Sequence, residues 1–309
     1  MKSQNNKSKI LVVGSIAIDT IFSVHGSINE RIQIKNGKLL KQNLMFAANE
    51  KKEFYGGTGG NIAYGLGLLG AKPLLFSVAG KDFPLVYEKH LKKNGVVSKV
   101  LVLKNHWTAN FYGITDNKLE QIGIWQPNAY EHLEQSSLLD TCSKKELGQV
   151  SIAIFSAGTP RSMFKHMIEL KENAPSVTII FDPGQLVMTY PKRVLETCLS
   201  LASIIIVNEV EYKQAGAVLK KTLDEVCLKY SKTLIVTKGS AGSTIFSPVE
   251  KIMIPATKVR KVIDPTGAGD AYRAGLISAL ITGKTIKEAC MLGARIASKS
   301  IESDGPQTY

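Results

Sequence analysis

The chain is short of several things that would place it quickly. Its four cysteines (Cys142, Cys198, Cys227 and Cys290) are scattered. There is no CxxC pair and no histidine at metal-ligand spacing. A disulfide framework and a zinc ribbon are thereby excluded, and reduced, mostly buried thiols of a cytoplasmic protein are expected. No stretch approaches the ~20 apolar residues of a membrane-spanning helix. The start, MKSQNNKSKILVVGSIAID, has basic residues, but Gly14, Ser15 and Asp19 break its apolar run at once. It reads as neither a secretory signal nor a span, so no membrane partner is expected. Repeats, low-complexity tracts and a flexible interdomain linker are missing too. The net charge of +13 would suit nucleic-acid binding. Yet the lysines are spread along the chain, and no basic run is interleaved with aromatics. A generally basic protein that handles a small anionic molecule is the simpler account.

What is present is enough for a packed core: 309 residues, 44% of them apolar, with 26 glycines. That length suits one large domain, or one domain plus a small one. Residues 10–14 (ILVVG) read as a short buried strand, β-branched and ended by glycine. From residue 150 the chain alternates IAIF (152–155), VTIIFD (177–182), SIIIVN (203–208) and TLIVTKG (233–239) with charged helical stretches. This is the pattern of an α/β fold, a doubly wound and mostly parallel sheet flanked by helices. Two stretches leave the pattern. One holds short β-like pieces (Thr20–Val24, Arg31–Ile34) and a segment around Phe46. The other, Thr108–Ile114 and Glu120–Trp125 about the turn Thr115–Lys118, reads as a hairpin. Between them, Leu74–Val78 reads as a strand and Val86–Asn94 as a helix.

The stretch Asp264–Gly275, DPTGAGDAYRAG, carries the strongest chemistry. It follows a β-rich run (Lys251–Ile254) and a connector (Lys258–Ile263), and it precedes a helical pattern. Gly267, Ala268 and Gly269 then fall where a loop becomes a helix. First-turn N–H groups have no partner inside the helix, and small residues let an anion approach them. Asp270 stands in the first turn. A carboxylate beside an anion is repelled, which makes sense if it takes a proton from a hydroxyl that attacks the anion. The bland alternative is an acidic residue favouring the helix dipole. Beyond it, Ala271, Ala274, Gly275 and Ala279 form a small-residue face. Arg273 points away from that face, toward a salt bridge or a phosphate.

Residues 56–70, GGTGGNIAYGLGLLG, form a second motif. Gly56-Gly57 permits the dihedrals of a hinge, and from Asn61 the apolar residues recur at helical spacing up to Gly70. Gly65–Gly70 spells the GxGxxG of dinucleotide folds, but here it ends a helix instead of opening one. Gly283-Lys284-Thr285 resembles the end of a phosphate-binding loop, but Ser278 replaces the required glycine and no strand leads in. Asp19, near the first strand's carboxyl end, can accept hydrogen bonds from hydroxyls or cap a turn. Asn208 and Glu211 have the spacing of a capping box. The closing segment Gly293–Tyr309 reads as a helix and a final loop.

These motifs, in this order, resemble the ribokinase-like (phosphofructokinase B-type) carbohydrate and nucleoside kinases over roughly residues 10–307. Pro265 and the AYRAG extension resemble bacterial adenosine kinases most. The resemblance implies an ATP-dependent kinase with Asp270 as catalytic base and the Gly267, Ala268 and Gly269 amides as the hole for the transferred phosphoryl group. It implies Asp19, the hinge Gly56-Gly57 and Asn61 as acceptor-binding residues. Thr237, Lys238, Gly239 and Gly242 (TKGSAG) match the nucleotide loop, and the final loop falls near the adenine of ATP. Asn208 and Glu211 match the NxxE motif that positions Mg²⁺, Glu211 through water. Residues 20–55 and 106–126 match a β lid over the acceptor, and 1–19, 56–105 and 127–309 match the core domain. Phe22, Phe46, Trp107, Phe111 and Trp125 give the lid aromatic surface, most of it expected in the lid's own core. Phe111 and Trp125 are candidates to stack on a base, so a nucleoside acceptor, adenosine first, is expected. Two departures stand out: relatives more often have Gly-Cys-Gly at 267–269, a harmless change, and usually Phe near Trp125, which leaves base specificity open. A ribose or hexose kinase and a non-catalytic nucleoside-binding protein remain the alternatives. Pairing of exposed lid edges would give a homodimer.

Overall fold

Along the first strand, Leu11 and Val13 face one hydrophobic layer while Ile10 and Val12 face the other. Successive side chains of a strand point to opposite faces, so a strand apolar at every position must be covered on both sides. The same division recurs at Phe155 and Ile154, and at Phe181 and Ile180. A computed structural model describes residues 9–309 except 33, 36–37, 40–43 and 119. The first eight residues therefore lie outside the described residues.

In chain order the strands are β1 (Lys9–Gly14), β2 (Ala17–Val24), β3 (Ile34–Lys35), β4 (Lys38–Leu39), β5 (Ala48–Gly56), β6 (Leu74–Phe76), β7 (Val78–Gly80), β8 (Val97–Ser98), β9 (Leu101–Leu103), β10 (Ala109–Thr115), β11 (Gln121–Gln126), β12 (Val150–Ser156), β13 (Thr178–Asp182), β14 (Ile204–Asn208), β15 (Thr233–Thr237), β16 (Ser243–Phe246) and β17 (Lys251–Ile254). The helices are α1 (Ile28–Arg31), α2 (Thr58–Leu68), α3 (Tyr87–Lys93), α4 (Lys144–Leu147), α5 (Pro160–Asn173), α6 (Lys192–Leu201), α7 (Glu209–Leu219), α8 (Leu223–Lys229), α9 (Ala268–Leu280) and α10 (Ile286–Ser300). The main sheet has the order β17-β16-β15-β14-β13-β12-β1-β6-β8. It is parallel from β8 to β15, and β16 and β17 run antiparallel at one edge. Helices α5 to α8 supply Met163, Leu195, Ala215 and Val226 to one layer; α2, α3, α9 and α10 supply Ile62, Leu91, Leu276 and Ala289 to the other. The expected small-residue face of α9 is buried, and a Cβ on its Gly275 would come within 2.9 Å of Gly293 on α10.

A second sheet, β11-β10-β2-β5, is built from the two stretches that break the alternation. The hairpin β10–β11 is antiparallel as read. Two readings are corrected. Arg31 ends a short helical turn, and pairing begins only at Ile34. Leu74–Val78 is divided between β6 in the main sheet and β7, which pairs with β9. Both decoys are disposed of: Gly65 and Gly67 lie inside α2, and Gly283 follows a helix while Thr285 caps the next.

Candidate active site

The chain leaves β1 toward β6 on one side and β12 on the other, so the carboxyl end of β1 is a topological switch point, where α/β sheets bind ligands. Gly14, Ser156 and Asp182 stand in one row across β1, β12 and β13, and Asn208 is level with Thr237 across β14 and β15. Helix α2 starts at this edge, with the Thr58 N–H on Ser15 Oγ (3.1 Å) and the Thr58 hydroxyl on the Ser156 carbonyl (3.2 Å).

Helix α9 also starts here. Gly267 is its N-cap with φ 76° and ψ 0°, a left-handed conformation, and a Cβ there would meet Pro306 at 2.5 Å. Both facts require glycine. The Ala268 N–H is turned onto the Pro265 carbonyl at 3.3 Å. Of the three expected anion-hole amides, this one is thus engaged, while those of Gly267 and Gly269 stand at the open helix end. Asp270 is the third residue of α9 and accepts 2.8 Å from Asn61 Nδ2. The residue keeps some contact with solvent while its carboxyl is surrounded by protein. Burial pushes its pKa up to about 6; Arg273 and the Asn61 bond pull it down, while Asp182 and Glu211 add to the rise. A carboxylate held near neutrality is suited to accept a proton.

Asp19 lies on β2 of the second sheet, and burial, then Asp270 and Asp264, push its pKa up to about 7. Gly56 ends β5 beside it, and any Cβ there would run into the Asp19 carboxyl; Gly57 follows with φ 82°. Across this sheet Phe54, Asp19, Phe111 and Trp125 are in register on one face, since directly paired residues share a face. Phe54 was not among the expected residues; its signal is its place two residues before Gly56 in an alternating strand. Phe22, three residues after Asp19, points to the other face. Trp107 lies outside the sheet under the Lys81 ammonium, and Phe46 lies in coil.

Arg273 reaches back one turn. Its Nη1 donates to the Gly269 carbonyl at 2.9 Å, and its Nη2 and Nε meet Asp182 at 2.9 and 2.6 Å. The alternatives for this residue resolve to the salt bridge. Asp182 also accepts the Ser156 hydroxyl at 2.6 Å. Asn208 and Glu211 form the capping box: Asn208 Oδ1 accepts from the Val210 and Glu211 N–H groups, and Glu211 Oε2 accepts from Asn208 N. Glu211 is buried, and burial, then Asp182, raise its pKa. Just past Thr237, the β15 partner of Asn208, Lys238 N donates to the Gly242 carbonyl (2.7 Å) around a tight turn at Gly239–Ala241. The Thr237 hydroxyl donates to Val207 O (3.3 Å), and a Ser243–Tyr272 hydroxyl contact (2.9 Å) ties this region to α9. No group of three or more His, Cys, Asp or Glu side chains among the described residues is placed to hold a metal. The oxygen donors present suit a hydrated Mg²⁺ carried mainly by phosphates. The closing loop, expected near adenine, is seated against Gly267, Asn61 and Phe54 through Pro306, Gln307 and Gly305.

A carboxylate with a raised pKa stands at a glycine-lined helix start, within electrostatic reach of a second carboxylate, an arrangement chemically suited to accept a proton beside an anion. The chain belongs to the pfkB family of carbohydrate kinases, whose model matches residues 7–309. It is an ATP-dependent kinase with an alcohol group as acceptor. A nucleoside kinase of Methanocaldococcus jannaschii is 32% identical over 97% of this chain and 92% of its own length. The crystal structure of the nucleoside kinase of that species, described as an archaeal member of the ribokinase family, superposes with a TM-score of 0.83 at 30% identity, covering 98% and 94% of the two chains. That of Burkholderia thailandensis nucleoside kinase in complex with inosine gives 0.80 at 30% identity, covering 97% and 93%. Among the described residues no helix is long and apolar enough to cross a membrane.

Proposed function

We propose that the protein transfers the γ-phosphate of ATP to the primary (5′) hydroxyl of a nucleoside, with adenosine the first candidate. The observation that carries this reading is the row Phe54–Asp19–Phe111–Trp125 on the face that holds Asp19 near Asp270. A carboxylate for ribose hydroxyls between aromatic side chains for a flat base is what a nucleoside needs and a lone sugar does not. The nucleoside kinases named above support it, one of them through its inosine complex.

Asp19 and Asn61 hold the ribose hydroxyls and aim the 5′-OH, and this positioning supplies most of the rate. Asp270 takes the proton from the 5′-OH as its oxygen attacks the γ-phosphorus in line. The Gly267 and Gly269 amides, with Ala268 once its weak bond to Pro265 opens, face the developing charge. Thr237, Lys238, Gly239 and Gly242 hold the nucleotide. Asn208 and Glu211 would hold a hydrated Mg²⁺ ion, which would neutralise phosphate charge. Residues 20–55 and 106–126 act as a lid hinged at Gly56-Gly57, excluding water that would otherwise hydrolyse ATP. Four buried free thiols suit the cytoplasm. The lid-sheet edges β5 and β11 offer pairing to a second copy, which sedimentation velocity reads.

The test is ATP consumption with Mg²⁺ against adenosine, inosine, other nucleosides, ribose, fructose and no acceptor. Nucleoside-dependent turnover is expected. Turnover with free sugars alone overturns the reading of the aromatic row, and nucleoside binding without turnover points to a sensor.

A further inference from the structure

One residue outside both motifs enters the site from the chain's end. Gln307 is buried in the loop after α10. Its Nε2 is 2.9 Å from Asn61 Oδ1 and 2.5 Å from Tyr87 Oη. The Tyr87 hydroxyl donates its own proton to the Gly56 carbonyl at 2.8 Å, so toward Gln307 it can only accept. Both Nε2 protons of Gln307 are therefore committed, one to Tyr87 and one to Asn61. The two ends of an asparagine amide have nearly the same shape, and only their hydrogen bonds decide which way it faces. With Oδ1 of Asn61 occupied by a donor, its Nδ2 is left to face Asp270 Oδ2 at 2.8 Å. The reverse orientation would set a carbonyl oxygen against the Asp270 carboxylate, two acceptors with no proton between them.

We infer that Gln307 is a positioning residue, which fixes the Asn61 amide so that its N–H faces the base Asp270 and ties that base to the Gly56 hinge through Tyr87. Gln307 makes no hydrogen bond to Asp270 among those described; it acts through Asn61. The proposal rests on Asp270 being the base, as above. The other charged groups about Asp270 are Arg273 on its own helix, Asp182 and Glu211 at the sheet edge, and Asp19 across the cleft. None of them depends on Gln307 for a hydrogen bond among those described.

The test is Gln307→Met, which keeps length and removes the donor, with Gln307→Glu as a second variant of nearly native shape. A hydrogen bond to a charged group differs from a lost one by about ten- to a hundredfold in equilibrium. The expected result is a kcat lower by about that factor and an acidic limb of the kcat/KM profile moved up by roughly one to two pH units, with the KM for ATP little changed. A purely structural role would lower the melting temperature without moving the limb, and that result overturns the proposal. The charge added in the Glu variant acts with or without Asn61, so a cycle with Asn61→Leu isolates the relay. In the Asn61→Leu background the Gln307 change should cost no more than about threefold, and full multiplicative loss overturns the proposal. A carboxyl ¹³C titration of Asp270, assigned with Asp270→Asn, reads the same shift without any acceptor. If the wild type turns over none of the nucleosides, the functional reading fails while this titration still decides the role of Gln307.

Discussion

The buried pair Arg273–Asp182 offers the sharpest test of how the site is held. Both side chains are nearly inaccessible, at 8% and 3% exposure, and two contacts of 2.9 and 2.6 Å join them. Burial opposes the guanidinium's charge, but Asp182, with Asp270 and Glu211, more than offsets that and raises its pKa. Arg273→Met leaves the Asp182 carboxylate buried with the Ser156 hydroxyl and no cation on it. Removing one partner of such a pair costs about 3–5 kcal/mol, roughly a fifth or more of the stability of a typical domain at ~5–15 kcal/mol. At roughly 2.1 cal/mol/K of unfolding entropy per residue, 309 residues give about 0.65 kcal/mol/K, so the melting temperature should fall by about 5–8 °C. Urea denaturation should show a lower midpoint at unchanged slope. The double variant Arg273→Met, Asp182→Leu removes both charges and should recover most of the loss, because replacing a whole buried pair by apolar groups is often neutral. If the double variant is as unstable as the sum of its singles, the charges are not paired in the sense argued and the reasoning fails. The same Arg273→Met change removes the strongest influence lowering the Asp270 pKa, so the acidic limb of activity should rise above about 6.

The pair also marks where the sequence stops being readable. The main-sheet strands were legible because their residues are apolar at every position and end in Gly14, Asp182, Asn208 or Gly239, a pattern that survives without tertiary knowledge. The start of α9 was legible for the same reason: a glycine-lined loop, an acid and a small-residue face are all local. Asp182 and Arg273 lie 91 positions apart, and Asn61 and Gln307 lie 246 apart. No periodicity encodes such pairs. Helical spacing turns Arg273 away from the small-residue face, but residues three and four apart on a helix are neighbours, and that spacing brings it under Gly269 and toward Asp270. The run Leu74–Val78 read as one strand because an apolar pattern does not announce a change of pairing partner. Its distance to Gly14 suggests a main-sheet strand end for Asp19, yet the chain has already turned into the second sheet at Ala17. That turn is what brings a row of aromatics level with it.

Three further outcomes follow from the site. Asp270→Asn should lower kcat by about 10²–10⁴ with acceptor binding retained by calorimetry, and wild-type kcat/KM should fall as pH drops through about 7 to 6, where Asp19 and then Asp270 take up protons. Trp125→Ala should raise nucleoside KM by about 5- to 150-fold, the equivalent of ~1–3 kcal/mol for a base on an aromatic ring, and leave the KM for ATP unchanged. Asp19→Asn should separate function from stability. Its carboxyl is held in the fold at a pKa of about 7 instead of 3.8. A raised folded pKa means the proton is bound more tightly in the native state than in the unfolded chain. The stabilisation linked to that proton is complete below the unfolded value and is lost as pH rises through about 7. Above that pH the fold carries a buried anion pushed toward the Asp270 carboxylate. Asparagine cannot ionise, so the variant should melt at a higher temperature than wild type at pH 8, with the difference closing as pH falls toward 4. Its acceptor KM should nonetheless rise by about ten- to a hundredfold, because hydroxyls bond a charged oxygen more strongly than a neutral one. A variant less stable than wild type at pH 8 would mean that the fold itself favours the Asp19 anion, and the carboxylate would then be structural and not held in reserve for the acceptor.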